Sequence, residues 1–191
     1  MASKSQHIDN QPGLVAEPMP WVARWLAGLA PGSTVLDFAC GQGRHARLAH
    51  ESGHQVLAVD RNAQALASLP AQLESLCCDL EADPWPFAGR RFDAIVVTNY
   101  LFRPRLAHLI HLLAPGGRLI YATFGLGNER FGRPANPAFL LAPGELSQAA
   151  RTGGLTVVGF ESGLTHTPKP AVVERICAWR SPGPEVSFAL D

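Results

Sequence analysis

One stretch, residues 34–46, constrains the fold of this chain more than any other. It begins with a short apolar run, residues 35–38, that is typical of a buried parallel strand. Gly41 and Gly43 follow, and the residues after them have the composition of a helix. A strand, a glycine loop and a helix N-terminus form a nucleotide-binding corner, because a ligand can approach the loop backbone closely. The stretch therefore predicts an α/β protein that binds a nucleotide-like ligand.

Two acidic residues narrow the class of ligand. Asp37 comes at the end of the first strand, where a carboxylate would repel a pyrophosphate but would attract a positively charged group. Asp60 ends the next apolar run, residues 56–59, and a carboxylate at the tip of that strand can bind both ribose hydroxyls. The spacing of Gly41, Gly43 and Ala46 also fits a dinucleotide fingerprint, which by itself is a weak signal. The acids favour a ligand that carries a ribose and a positive charge, such as S-adenosylmethionine.

At these residues the chain resembles the class I S-adenosylmethionine-dependent methyltransferases. Their first motif, acid-x-Gly-x-Gly-x-Gly, is similar to residues 37–43, with Ala39 where the family most often has glycine. We expect this alanine to tighten the loop slightly without abolishing binding. A Leu-x-Pro-Gly-Gly-x-Leu pattern at residues 113–119 also resembles this family. The resemblance covers residues 20–180, and residues 124–146 look closest to the small-molecule methyltransferases grouped with tellurite-resistance-type proteins.

The resemblance implies a set of cofactor-binding residues. In that family, an acid after the second strand holds the ribose, and an acid after the third binds the adenine amino group. The equivalent residues here are Asp60 and Asp79, with Leu80 packed on the adenine ring and Asp37 near the methionine moiety. An acid in the position of Asp79 can instead be a simple loop or helix-cap residue. The full set for S-adenosyl-L-methionine is Asp37, Ala39, Cys40, Gly41, Gly43, Asp60, Arg61, Asp79, Leu80, Thr98 and Asn99.

The order of apolar runs predicts the architecture. Strands are expected at 34–38, 55–59, 76–78, 92–97, 112–122, 155–161 and 171–179, with helices between most of them. The last two strands are joined by residues 162–170, too few for a crossover helix, so they should pair antiparallel. This pattern predicts an α/β, doubly wound, seven-stranded and mostly parallel sheet with an antiparallel last strand, the Rossmann-like methyltransferase fold. Residues 18–180 would form one domain, flanked by a mobile tail at 1–17 and a C-terminal tail at 181–191. The helix expected at residues 18–29, with prolines in its first turn, could lie over the cofactor as a lid or simply pack on the sheet.

A long loop, residues 123–142, is the predicted substrate wall. It leaves the carboxyl end of a strand, which is the side where open α/β sheets bind ligands. Loops of this length in a compact domain are usually functional or disordered, and its aromatic and charged residues argue against disorder. The alternative is a structural loop held by its own ion pairs. The predicted substrate contacts are Phe124, Asn128, Glu129, Arg130 and Arg133.

The expected reaction is in-line displacement of a sulfonium methyl by a nucleophile of the substrate. A base is needed only if that nucleophile arrives protonated. Tyr100 and His166 are the candidate catalytic residues, with cofactor packing and a solvated loop histidine as their respective alternatives. Two other functions remain open at this point: a nicotinamide-dependent oxidoreductase and a non-catalytic S-adenosylmethionine-binding module.

Composition limits the partners. The 191 residues carry no formal net charge, so no global field attracts nucleic acid or an anionic membrane. No apolar run approaches the roughly 20 residues of a membrane span, and the first residues lack the apolar core of a signal peptide. The four cysteines show no metal-ligand or disulfide spacing. We therefore expect a cytoplasmic enzyme with a small-molecule acceptor and without a metal, while the sequence leaves its oligomeric state open.

Overall fold

The computed structural model describes residues 16–182, so the predicted tails lie almost entirely outside the described residues. The order of elements within it follows the predicted alternation of strands and helices. The strands are β1 Thr34–Phe38, β2 Gln55–Asp60, β3 Glu74–Cys77, β4 Phe92–Thr98, β5 Leu113–Phe124, β6 Leu155–Thr165 and β7 Ala171–Arg180. The helices are α1 Pro20–Leu26, α2 Arg44–Glu51, α3 Ala63–Leu66, α4 Leu106–His111 and α5 Glu145–Thr152.

The seven strands form one sheet in the order β3-β2-β1-β4-β5-β7-β6. Strands β1 to β5 pair in parallel, and β7 is antiparallel to both of its neighbours. This confirms the predicted doubly wound sheet with an antiparallel last strand. Because β6 and β7 are longer than expected, only residues 166–170 join them. Since β6 runs in the same direction as β5, this connection leaves the sheet at the edge where the parallel strands end.

The apolar residues of the sheet are covered on both faces. Helices α1 and α2 bury Val22, Leu26 and Ala49 against one face, while α4 and α5 bury Ile110 and Leu146 against the other. This arrangement places the core on the two sides of the central strands, as in other three-layer α/β domains. None of the helices in the part of the chain that the structure describes is long and apolar enough to span a membrane.

Helix α1 packs on the sheet along its length. The indole Nε1 of Trp21 donates a hydrogen bond to the carbonyl oxygen of Ile176 at 3.3 Å. After the helix, the guanidinium of Arg118 donates to the carbonyl oxygens of Trp25 and Gly28, at 2.8 and 2.9 Å. These contacts favour the packed arrangement over a lid for the body of α1.

Other elements also differ in extent from the prediction. Helix α1 ends at Leu26 rather than at residue 29, and strand β3 begins two residues early. The short helix α3 is capped by Asn62, whose side chain accepts hydrogen bonds from the backbone N–H groups of Gln64 and Ala65.

Candidate functional site

A cavity that opens to solvent lies at the carboxyl ends of β1, β2, β3 and β4. From β1 the chain continues to β2 on one side, and from β4 it continues to β5 on the other. The crevice between β1 and β4 is therefore a topological switch point, the usual ligand site of such sheets. The lining contains six of the predicted site residues and two others. These residues are Ala39, Asp60, Arg61, Cys78, Asp79, Leu80, Glu81 and Tyr100.

In the loop after β1, every second residue from 39 to 43 has a left-handed backbone conformation. Ala39, Gly41 and Gly43 have φ values of +59°, +56° and +72°. The positive φ favours glycine at residue 43, and a Cβ there would also require the end of the Leu69 side chain to move. Ala39 is the residue that departs from the family pattern, and the left-handed conformation costs an alanine roughly 1–2 kcal/mol. The predicted effect of this alanine on the loop stays a prediction.

Asp60 joins the glycine loop to the end of β2. Its side chain is buried and accepts hydrogen bonds from the backbone N–H groups of Gly41 at 2.7 Å and Asn62 at 2.9 Å. A carboxylate has about four acceptor positions, more than these two bonds occupy. Asp60 also lines the cavity, in agreement with its predicted position beside a ribose.

Asp79 and Leu80 form the outer wall of the cavity after β3. Leu80 is buried and belongs to the core that contains Phe38 and Tyr100. Asp79 is exposed, and its Oδ1 accepts a hydrogen bond from the backbone N–H of Glu81 at 3.0 Å. This local bond is the one expected of a loop acid, but it leaves the other carboxylate oxygen for a ligand.

Sequence reasoning missed Cys78 and Glu81 as lining residues. Both are direct neighbours of the predicted pair Asp79–Leu80, and this adjacency was the available signal. Burial and the nearby Cys77 and Asp79 raise the pKa of the Cys78 thiol, so it stays protonated. Glu81 adds a third carboxylate to this side of the cavity.

Asp37 lies behind the cavity rather than in its lining. It is 1% exposed, and its Oδ2 accepts a hydrogen bond from the backbone N–H of Ala46 at 2.8 Å. Burial raises the pKa of this carboxyl to about 7, against the opposing effects of the Ala46 hydrogen bond and the Arg44 charge. In this position Asp37 satisfies an N–H group in the first turn of α2, and its contact with a methionine moiety stays a prediction.

Cys40, Thr98 and Asn99 flank the same corner without lining the cavity. The Cys40 Sγ lies 3.5 Å from the carbonyl oxygen of Gly41, and burial raises the thiol pKa far above its usual range. Asn99 at the end of β4 has a φ of +55°, a conformation that asparagine tolerates better than most residues. These residues shape the backbone around the glycine loop.

His45 is a member of this corner that the sequence did not single out. It is buried, and its Nε2 accepts a hydrogen bond from the backbone N–H of Met19 at 3.1 Å. Because that nitrogen accepts, Nδ1 carries the ring proton and faces Oγ1 of Thr98 at 3.4 Å. Burial, followed by the Arg44 charge, lowers the pKa of His45 to about 3. A neutral imidazole thus joins the segment before α1 to the end of β4.

Tyr100 lines the cavity, but its position argues against the predicted role of general base. Burial raises the pKa of its phenol well above the ordinary value, so the hydroxyl keeps its proton at neutral pH. Its ring packs edge-on against Phe38, with centroids 5.6 Å apart. The alternative of packing beside the cofactor agrees better with this environment.

The other catalytic candidate, His166, is exposed in the connection between β6 and β7. Strands β4, β5 and β7 separate β6 from β1 in the sheet. The structure therefore does not bring His166 to the cavity, since neighbouring strands are about 4.8 Å apart. A solvated loop histidine describes this position better than a catalytic base.

The predicted substrate loop after β5 is well packed. Phe124 is buried with Leu140 and Ala171, and none of the five predicted substrate contacts lines the cavity. Asn128 is also buried, and its amide donates to the carbonyl oxygen of Pro134 and accepts from the N–H of Val172. These bonds assign Asn128 a structural part within the loop. Glu129, Arg130 and Arg133 are exposed, and their contact with a substrate stays a prediction.

Arg103 holds this loop against the end of β4. Its guanidinium donates to the carbonyl oxygens of Ala138 and Leu140, at 2.7 and 2.8 Å. The same group forms a two-point ion pair with Glu145, with Nη2 and Oε2 2.8 Å apart. An ion pair therefore does hold the loop, as the structural alternative expects, but Arg103 and Glu145 lie on either side of it.

Comparison with known proteins shows which proteins this chain is similar to in sequence and in fold. Residues 35–117 match the family described as a methyltransferase domain. A demethylmenaquinone methyltransferase of Corynebacterium urealyticum is 34% identical over 102 residues, which are 50% of this chain and 44% of that protein. The chain thus spans less than half the length of this curated relative.

Two solved structures share the fold. TehB from Haemophilus influenzae has a TM-score of 0.68 and 18% identity, covering 84% of this chain and 61% of its own. The 1,6-didemethyltoxoflavin-N1-methyltransferase of Burkholderia thailandensis has a TM-score of 0.62 and 23% identity, covering 85% and 77%. These two structures support the Rossmann-like fold of this chain, and the match over residues 35–117 agrees with its resemblance to the S-adenosylmethionine-dependent methyltransferases.

Proposed function

We propose that this protein is an S-adenosylmethionine-dependent methyltransferase that acts on a small-molecule acceptor. The observation that carries the proposal is the cavity at the ends of β1, β2, β3 and β4, whose lining brings together Asp60, Asp79 and Leu80. Two carboxylates and an apolar side chain complement the hydroxyls, the amino group and the ring face of an adenosine. The family match over residues 35–117 supports the same cofactor.

Different residues at the ends of β1, β2 and β3 would bind different parts of the cofactor. Asp60 would accept hydrogen bonds from the ribose hydroxyls while it continues to hold the N–H of Gly41. Asp79 would accept from the adenine amino group, and Leu80 would pack on the ring. A positive charge placed near Asp37 would favour its ionised form and so bring its pKa down from about 7.

The cofactor supplies an activated methyl group on a sulfonium, and the protein holds the cofactor and the acceptor in position for the transfer. Alignment of two reactants in one site can contribute several kcal/mol to a displacement reaction. The buried phenol and thiols near the cavity all keep their protons, since burial raises the pKa of Tyr100, Cys40 and Cys78. The chain's groups at the cavity are therefore suited to binding and orientation, and an acceptor that carries its own basic nucleophile fits this site best.

A small-molecule acceptor agrees with the relatives and with the charge of the chain. Their names specify methylation of demethylmenaquinone and of 1,6-didemethyltoxoflavin. The formal net charge of zero gives no general attraction for nucleic acid. The exposed side chains of Glu129, Arg130 and Arg133, on the loop after β5, are the proposed acceptor contacts. The free state of the four cysteines is consistent with a proposed cytoplasmic location.

Calorimetric titration with S-adenosylhomocysteine, with NAD in parallel, tests the proposal. Binding of the first at micromolar strength, without binding of the second, is expected. Asp79→Asn should weaken the interaction, whereas Asp83→Asn should not, because Asp83 is exposed and pairs with Arg105 outside the cavity. A protein that binds NAD but not S-adenosylhomocysteine would be an oxidoreductase candidate instead. Transfer of a labelled methyl group to small acceptors would then separate an enzyme from a non-catalytic binding module.

A further inference from the structure

The hydroxyl of Tyr100 is a buried polar group without a hydrogen-bond partner among the described residues. The residue is 8% exposed and lines the cavity at the end of β4. Buried hydroxyls in folded proteins are almost always paired, because an unpaired one loses its hydrogen bonds to water without compensation. An exception on the wall of a binding cavity therefore points to a ligand atom as its partner.

Tyr100 shares the lining of the cavity with the residues that the proposed function assigns to the adenine. Asp79, Leu80 and Glu81 belong to the segment after β3, and all three line the same cavity as Tyr100. Leu80 and Tyr100 also belong to the same core cluster. An adenine held by Asp79 and Leu80 would therefore lie in the cavity that Tyr100 lines.

We propose that Tyr100 donates a hydrogen bond to a ring nitrogen of the bound adenine. This inference rests on the proposed function. The carboxylates of Asp79 and Glu81 can only accept hydrogen bonds when ionised, and so they select for the amino group of a base. The phenol supplies the complementary donor that a ring nitrogen requires. Donor and acceptors together would distinguish adenine from bases whose ring edge carries a hydrogen in place of the lone pair.

The variant Tyr100→Phe removes the hydroxyl and keeps the ring that packs on Phe38. Its affinity for S-adenosylhomocysteine should fall about 3- to 10-fold, as for the loss of one ordinary hydrogen bond. The melting temperature of the ligand-free variant should not fall, because no partner is lost in the protein. Tyr121→Phe is the matched control: its hydroxyl donates to the carbonyl oxygen of Tyr100 at 2.8 Å, so this variant should melt at a lower temperature.

Ring-modified ligands locate the accepting atom. S-adenosylhomocysteine analogues that lack N1, N3 or N7 of the adenine would be titrated into both proteins. One analogue should bind the wild type as weakly as the parent compound binds Tyr100→Phe, and the variant should not distinguish that analogue from the parent.

Three results would overturn the inference while the proposed function stands. The first is an unchanged affinity of Tyr100→Phe for S-adenosylhomocysteine. The second is a melting temperature of Tyr100→Phe that is lowered as in Tyr121→Phe. The third is binding of all three analogues to the wild type as tightly as the parent compound. If the wild type itself fails to bind S-adenosylhomocysteine, the proposed function fails and this inference fails with it. The titration of the wild type thus separates the two failures.

Discussion

The backbone N–H of Gly41 donates a hydrogen bond to the carboxylate of Asp60 at 2.7 Å, across the ends of two adjacent strands. The bond joins the glycine loop after β1 to the acid that ends β2. It means that one carboxylate both shapes the loop and faces the cavity. Structural and ligand-binding effects of Asp60 are therefore coupled, and they must be separated by experiment.

Substitution of Asp60 should lower both stability and affinity. Asp60→Ala leaves the N–H groups of Gly41 and Asn62 without their acceptor, and the free energy of unfolding should fall by about 1–3 kcal/mol. The affinity for S-adenosylmethionine should fall by a similar amount. Asp79→Ala is the control. The bond that the structure gives its carboxylate is a local one from the backbone N–H of Glu81, so this variant should lose affinity but not stability. Urea unfolding and calorimetry measure the two quantities, and an unchanged affinity of Asp60→Ala would remove that residue from the site.

His45 should remain neutral throughout the physiological range. Its pKa of about 3 lies below the ordinary value of 6.5. Between these two pH values, His45 therefore binds a proton in the unfolded chain but not in the folded protein. The contribution of His45 to the free energy of unfolding should therefore be fully retained above pH 6.5. This contribution should fall as the pH drops toward 3, by about 1.4 kcal/mol per unit.

His45→Gln should remove this dependence, because an amide does not titrate. Its oxygen can still accept from the backbone N–H of Met19, so the contact with the segment before α1 is kept. His45→Ala, which loses the contact, should expose residues 16–19 to faster hydrogen exchange. Nitrogen chemical shifts of the ring should report a proton on Nδ1. A His45 ring that becomes charged between pH 5 and 7 would contradict the prediction.

Asp37 should have the opposite effect on stability in the same pH range. Because burial raises its pKa from 3.8 to about 7, the folded protein binds a proton that the unfolded chain releases between these values. Its contribution should be complete below pH 4 and should be lost as the pH rises to 7, at about 1.4 kcal/mol per unit. Asp37→Asn should gain stability relative to wild type across this window. Denaturant titrations at several pH values test this, and parallel curves for the two proteins would refute the raised pKa.

Arg103 should control the order of the loop after β5. Arg103→Ala removes the donors to Ala138 and Leu140 together with the ion pair to Glu145. Exposed ion pairs contribute little to global stability, so the change in unfolding free energy should stay near 1 kcal/mol. Hydrogen exchange at residues 138–142 should nevertheless rise at least tenfold. Arg105→Ala, which breaks the separate pair with Asp83, is the control and should leave that segment protected.

Much of the fold and the cofactor corner could be predicted from local patterns. The apolar run before Gly41 and the next run before Asp60 correctly predicted two adjacent parallel strands. The short link between β6 and β7 correctly predicted their antiparallel pairing. The pair Asp79–Leu80 was placed on the wall of the cavity where the resemblance expected it. In each case the signal lies within a few residues of sequence, where strand length and turn chemistry act directly.

The remaining features depended on contacts between distant parts of the chain. The roles of Tyr100 and His166 follow from how deeply the first is buried and from which strands separate the second from β1. The loop after β5 is held by Arg103, which no pattern within the loop reveals. Burial and partner choice are set only when segments far apart in sequence pack together. Local sequence therefore determined the strands, the glycine corner and its acids, whereas the tertiary structure decided which side chains face the cavity and in which protonation state.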